Sequence, residues 1–222
     1  MTLTKEQQAA IAEKINSMTL PSGLGDRHNA CSISAINLAL SGRLTDKIPD
    51  CMSLVIGKWI IAVQDAMPDA MRNSAEWKSL LPLAAGTGRE FEHDRMAIIV
   101  DWMWDTVLPY AQPIADAGGY GEQWRTMYSV RTLKAALAAA DAADAADAAA
   151  DAVAGSAADA AAEAAAKAAW RPVWATVHVA WYAACSAVLS AKASGDPEKA
   201  WKHFDPCGLL QKLVEVGNDT TR

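Results

Sequence analysis

Apolar positions in this chain recur three and four residues apart nearly from end to end, the spacing of amphipathic helices. Residues 3–18 place Ile11, Ile15 and Met18 on one stripe. Leu20 to Asn29 (LPSGLGDRHN) is broken by proline and glycine and predicts a loop. Asn29 is placed to cap a helix from Ala30 to Leu40, which Ser41 and Gly42 end. Pro49 opens the next helix, Asp50 to Met67, and Pro68 stops it. Ser74 caps a short helix to Leu81, with Trp77 and Leu81 four residues apart. A glycine loop, Ala84 to Arg89, feeds a long apolar helix to Leu108, ended by Pro109. Gln112 to Gly121 predicts a second loop, and a helical stretch from Glu122 follows it. Pro172 kinks or restarts that stretch, Ser194 to Pro197 is a turn, and Glu198 to Val216 is helical with an interruption at Asp205-Pro206. No alternating β-branched run is long enough for a strand. The expected class is all-α: one helical domain over residues 1–222, with an alanine-rich helix or helical hairpin at 134–169.

That alanine-rich stretch is the strongest local signal. Of the 35 residues from Ala135 to Ala169, 24 are alanine, the best helix former. Asp141, Asp144, Asp147 and Asp151 fall within about a 120° arc, leaving the opposite face almost pure alanine. This reads as a solvated acidic stripe over a close-packed seam, a scaffold without chemistry. As one helix from Glu122 it would be about 70 Å long, too long for a domain of this size. Either it breaks at Gly155-Ser156 and folds back, or it projects and pairs with another subunit. The break is the expectation, because Ser156 is placed to cap a second arm.

Charge narrows the partners. The net charge is −6 and the pI about 5.2, which argues against duplex nucleic acid held by bulk electrostatics. Cys31, Cys51, Cys185 and Cys207 show no CxxC spacing, so free thiols in a reducing cytoplasm are expected. The first 18 residues lack the apolar run of a secretory leader. Pro172 to Ala191 is 20 residues without formal charge. Its His178, serines and many alanines read as a buried helix rather than a membrane span.

Candidate chemistry lies mainly around the long apolar helix. Glu90, Asp94, Asp101 and Asp105 share a stripe about 60° wide, facing water or basic partners such as Arg27, Arg43, Lys58, Arg72, Arg89 and Arg95. The amides of Ala84 to Arg89 suit an anion at a helix N-terminus, with Arg89 as a phosphate donor, although a plain glycine turn is the simpler reading. Arg72-Asn73-Ser74 precedes another helix in the same way. The glycine loop matches neither a P-loop nor a dinucleotide-binding turn, and no cofactor motif is present. His93-Asp94 resembles the metal-dependent HD phosphohydrolases only loosely, since no second ligand pair is evident. His203 and Cys207 lack a partner pair for zinc. Trp170, Trp174, His178, Trp181 and Tyr182 recur at helical spacing, as core or as a stacking wall for a base.

The segments CSISAINLALSGRLTDKIPDCMSLVIGKWIIAVQDAMPDAMRNSAEWKSLLPLAAGTGRE and WMWDTVLPYAQPIAD, with the C-terminal DPCGLLQKLVEV, resemble a group of hypothetical proteins of phages and bacteria with variable alanine-rich stretches. The resemblance supplies no activity and no catalytic residues. It implies a phage or mobile-element origin, where small proteins act against host defence. The leading expectation is a non-catalytic, cytoplasmic, homo-oligomeric binder of an anionic nucleotide-type signal. Its ligand-binding residues would be Arg72, Asn73, Gly88, Arg89, Asp101, Trp104, Trp174 and His178, with no metal or cofactor and no membrane partner. The alternatives are an inhibitor that binds a host protein and a metal-dependent phosphohydrolase using His93, Asp94 and Asp101.

Overall fold

The computed structural model describes residues 3–146, 149–168 and 173–217. The fold is all-α; the only β feature among the described residues is one antiparallel bridge between Gly25 and Ala30. In chain order the helices are α1 (Lys5–Asn16), α2 (Ser32–Ser41), α3 (Leu54–Gln64), α4 (Asp69–Arg72), α5 (Ala75–Ala85), α6 (Glu92–Trp102), α7 (Leu108–Tyr110), α8 (Gln112–Ala117), α9 (Gly121–Val130), α10 (Leu133–Asp144), α11 (Ala149–Ala168), α12 (Val173–Ala193), α13 (Pro197–Phe204) and α14 (Pro206–Glu215). A π-helical turn, Met103–Val107, joins α6 to α7. None of these helices is long and apolar enough to cross a membrane. The chain divides into two compact units. The first holds the described residues through Arg95 and those from Pro206 onward; the second runs Met96–Asp205.

The first unit is built on aromatic and aliphatic packing. Ile11, Ile15, Ile33, Ile36, Ile60 and Leu81 are fully buried, and the Trp59 and Trp77 rings meet at 6.2 Å. The Trp77 indole donates to Ser32 Oγ at 3.2 Å, so its one polar atom is satisfied inside. The caps decide where the helices start. Thr4 and Gln7 form a reciprocal capping box on α1. Cys31, not Asn29, caps α2, because Asp26 accepts from the His28 and Asn29 amides and folds the loop over two residues further. Those amides, Asn29 first, hold the Asp26 carboxyl below its usual range. Gly42 ends α2 at φ 68°. Ser53 caps α3, so the helix expected from Asp50 begins four residues later. Ser74 caps α5 as expected, and α5 runs through Pro82 to Ala85.

In the second unit Pro109 does not stop the chain as its sequence position suggests. Pro109 lies within continuing helix: Leu108 N donates to Met103 O, five residues back, and this widened turn lets the missing proline amide pass. The loop expected at Gln112 to Gly121 is largely helix α8, with Pro113 in its first turn. Conversely, the continuous helix expected from Glu122 is broken by Arg131, which ends α9 in the left-handed conformation at φ 56°. Thr132 then caps α10.

The alanine-rich stretch folds back, but not at Gly155-Ser156. α10 ends at Asp144 and α11 begins at Ala149, so the connection comes earlier. Gly155 and Ser156 sit inside α11, and Ser156 Oγ donates back to Ala152 O at 3.0 Å. Neither residue breaks the helix because its neighbours are alanines and α10 packs beside it. A Cβ on Gly155 would lie 3.4 Å from the Ala143 methyl and 2.6 Å from Asp144 Oδ1. α12 packs on α11 in turn; Ser186 Oγ donates to Ala157 O at 3.1 Å. Consecutive helices α10, α11 and α12 therefore form a stack whose inner faces are alanine: Ala139, Ala143, Ala157, Ala161, Ala183 and Ala187 are buried. Asp141 and Asp144 are exposed as expected. Asp159 on α11 is held above the usual carboxylate range, first by desolvation and then by Asp144, Asp141 and Glu163. Asp147, Trp170 and Pro172 lie outside the described residues.

Candidate functional site

Two buried side chains lock the segment that follows α5. Glu92, at the start of α6, reaches the N-terminus of α3. Its carboxylate accepts from Ser53 Oγ at 2.6 Å, Leu54 N at 2.8 Å and Val55 N at 3.1 Å. A carboxylate there satisfies orphan amides and complements the helix dipole. Arg95, three residues on, is fully buried. It donates to Glu90 O at 2.6 Å, Thr87 O at 3.1 Å, and to Leu213 O and Val216 O at the end of α14 at 3.2 and 3.4 Å. Burial pulls Arg95 below the ordinary guanidinium range, against the opposing pull of Glu92, Glu90 and Asp94. Thr87 adds a third tie, accepting from Ser53 N and donating to Ala84 O.

Between these anchors the chain turns sharply. Gly88 takes φ 65° and donates its amide to Cys51 O at 2.9 Å. Phe91 takes φ 62°, a left-handed conformation that costs a side-chain-bearing residue about 1–2 kcal/mol. Phe91 as a whole is 43% exposed. The strained, exposed residue thus lies immediately ahead of two buried anchors, Glu92 and Arg95.

The Phe91 ring borders a pocket of about 540 Å³, within the usual size of small-molecule sites. Leu80, Leu83 and Val214 give it apolar walls; Gln8, Thr87, Arg95, Gln211 and Glu215 bring polar groups. Gln211 Nε2 donates to Glu215 Oε1 at 3.0 Å. A Cβ on Gly217 would meet the Phe91 ring at 2.7 Å, so the chain after α14 lies directly against that ring.

The residues expected to bind ligand divide between the units. Arg72 is 2% exposed, and its guanidinium is occupied: it donates to Leu20 O at 2.9 Å, Met67 O at 3.0 Å, Gln64 O and Asp69 Oδ1. Asn73 exchanges bonds with the Leu20 backbone, accepting from its amide at 2.7 Å and donating to its carbonyl at 3.1 Å. These two residues tie loop ends together instead of facing a ligand. Gly88 and Arg89 follow the pocket's Thr87 in sequence, and Arg89 pairs with Asp50 at 3.2 Å on the surface. In the second unit Asp101 and Asp105 are exposed and both pair with Arg131, Asp101 at 3.6 Å. Trp104 is 3% exposed, so its faces are packed against protein and no base can stack there. His178 is exposed on α12; the side chain of Trp174 lies outside the described residues.

Glu92, Phe91, Gln8 and Gln211 carry the site, and sequence reading singled out none of them for it. Gln8 and Gln211 sit on solvated-looking helix faces more than 200 residues apart, and only the fold joins them. His93 and Asp94 are exposed, and no group of three His, Cys, Asp or Glu among the described residues is placed to hold a metal. No known family model matches the chain, and no curated protein or solved structure matches it either.

Proposed function

We propose that this chain is a non-catalytic helical binding protein that takes the base of an anionic nucleotide-type ligand into the pocket of its first unit. The observation that carries this reading is Phe91, an exposed aromatic residue held in a strained conformation at the rim of a pocket of ligand size. Phe91 offers a stacking face, worth about 1–3 kcal/mol per base. The amides of Gln8 and Gln211 offer both donors and acceptors for a heterocycle edge. Glu215 disfavours a phosphate inside the pocket. Arg89, two residues from both Thr87 and Phe91, is the cation at hand outside it. Its partner Asp50 has a side chain 88% exposed, so exchanging that screened pair for a phosphate costs little. The resemblance to phage-borne chains gives such a binder a role, the sequestration of a nucleotide signal used in host defence.

The test is a thermal-shift screen of linear and cyclic nucleotides. A ligand at a hundred times its Kd adds about 2.7 kcal/mol of stability. Phe91→Gly and Arg89→Ala are expected to remove the shift while the protein stays folded. Chromatography of the ligand after denaturation should return it unchanged. The absence of any shift across the panel, or metal-dependent turnover of the nucleotide, overturns the reading.

A further inference from the structure

We infer that α10 is a self-association surface, on which two copies of this chain pair their α10 helices antiparallel about a two-fold axis. Three large apolar side chains lie exposed along this part of the second unit: Val130 at 56%, Leu133 at 42% and Leu137 at 44%. At 100° per residue along α10, Lys134, Leu137, Ala138 and Asp141 share one face of about 100°. The face is also concave: Thr132, Leu133, Lys134, Leu137, Ala138 and Asp141 line a shallow groove of about 570 Å³. Single exposed leucines are ordinary, but a contiguous set on a grooved face is the mark of a docking surface.

The charges on that face say what covers it. Lys134 and Asp141 are both exposed and lie two helical turns apart, about 10.5 Å at 1.5 Å per residue. A two-fold axis through the point midway between Leu137 and Ala138 sets Lys134 of each copy against Asp141 of the other. The same operation sets each Leu137 against the other copy's Ala138, a large side chain over a small one. A face that is its own complement under a two-fold axis is what an isologous dimer requires. Parallel pairing would oppose lysine to lysine and aspartate to aspartate. One 12-residue helix per copy is a small interface, so the dimer is weak and concentration-dependent.

Sedimentation of the full chain across a concentration series tests this. Wild type is expected to pass from monomer to dimer as concentration rises. Lys134→Glu and Asp141→Lys, each alone, replace attraction by repulsion at both symmetry-related pairs and should weaken the dimer about tenfold. Mixing the two single variants should restore association as a heterodimer, and the double variant should restore it as a homodimer. Leu137→Asp should abolish it, with helix content by circular dichroism unchanged. Wild type that stays monomeric to about 1 mM overturns the proposal, the weakest association worth naming being of millimolar Kd. A dimer insensitive to Leu137→Asp, or single-charge variants that do not rescue one another, overturns it equally. None of these readouts involves a nucleotide, so the ligand pocket stands or falls separately.

Discussion

Replacing Phe91 separates the strain at the pocket rim from the purpose of the ring. At φ 62° any residue with a Cβ pays about 1–2 kcal/mol that glycine does not. Phe91 is 43% exposed, so truncation forfeits roughly half of a phenylalanine's full burial, about 1 kcal/mol. In Phe91→Gly the two terms nearly cancel, and the protein should melt close to wild type. Phe91→Ala loses the same burial but keeps the strain. It should be less stable than the glycine variant by about 1 kcal/mol, after allowing for glycine's more flexible unfolded chain. In a chain of this size that is about 2–4 °C in melting temperature. Differential scanning calorimetry of wild type and both variants decides it. In an ordinary helix or loop alanine is the more stabilising of the two. An alanine variant that melts at or above the glycine variant would show that Phe91 is unstrained, and the argument from strain to binding would collapse. Both variants should lose the nucleotide shift, because neither retains a ring.

Two further substitutions test other parts of the fold. Arg72→Ala strands the carbonyls of Leu20, Gln64 and Met67 in a buried site and should cost about 3 kcal/mol by denaturant melting; a loss below 1 kcal/mol would mean that the guanidinium is not the tie it is taken for. Gly155→Ala should stabilise α11 by about 0.5–1 kcal/mol once the exposed Asp144 carboxylate swings aside, whereas Gly155→Leu should push α10 and α11 apart and destabilise the protein; the reverse order in thermal melts would mean that the turn does lie at Gly155.

What sequence reading captured and missed has a common physical cause. Signals confined to one helical turn were legible: the Ser74 cap, the end of α2 at Gly42, the break at Asp205-Pro206 and the helical class itself. Signals that depend on what packs alongside were not. Gly155 looks like a turn until α10 is seen beside it. Pro109 looks like a stop until the π turn accommodates it. Arg72 and Arg89 look alike in sequence, each just ahead of a helix, yet one is buried among carbonyls and the other lies on the surface. Phe91 reads as one more apolar residue of a long helix; only the anchoring of Glu92 and Arg95 reveals it as the residue under strain.

The alanine stack carries a consequence for how the molecule gains and loses order. Most of its inner positions are methyl groups with no rotamers to freeze, so ordering them costs backbone entropy alone. Each also removes little apolar surface from water, so the heat-capacity change per residue on melting is small. The partners are successive helices, which keeps loop closures short and contacts local. Such a stack can zip together quickly from either helix connection. Amide exchange through α10, α11 and α12 should accordingly be faster than through the tryptophan-packed helices α3 and α5, and graded along each helix.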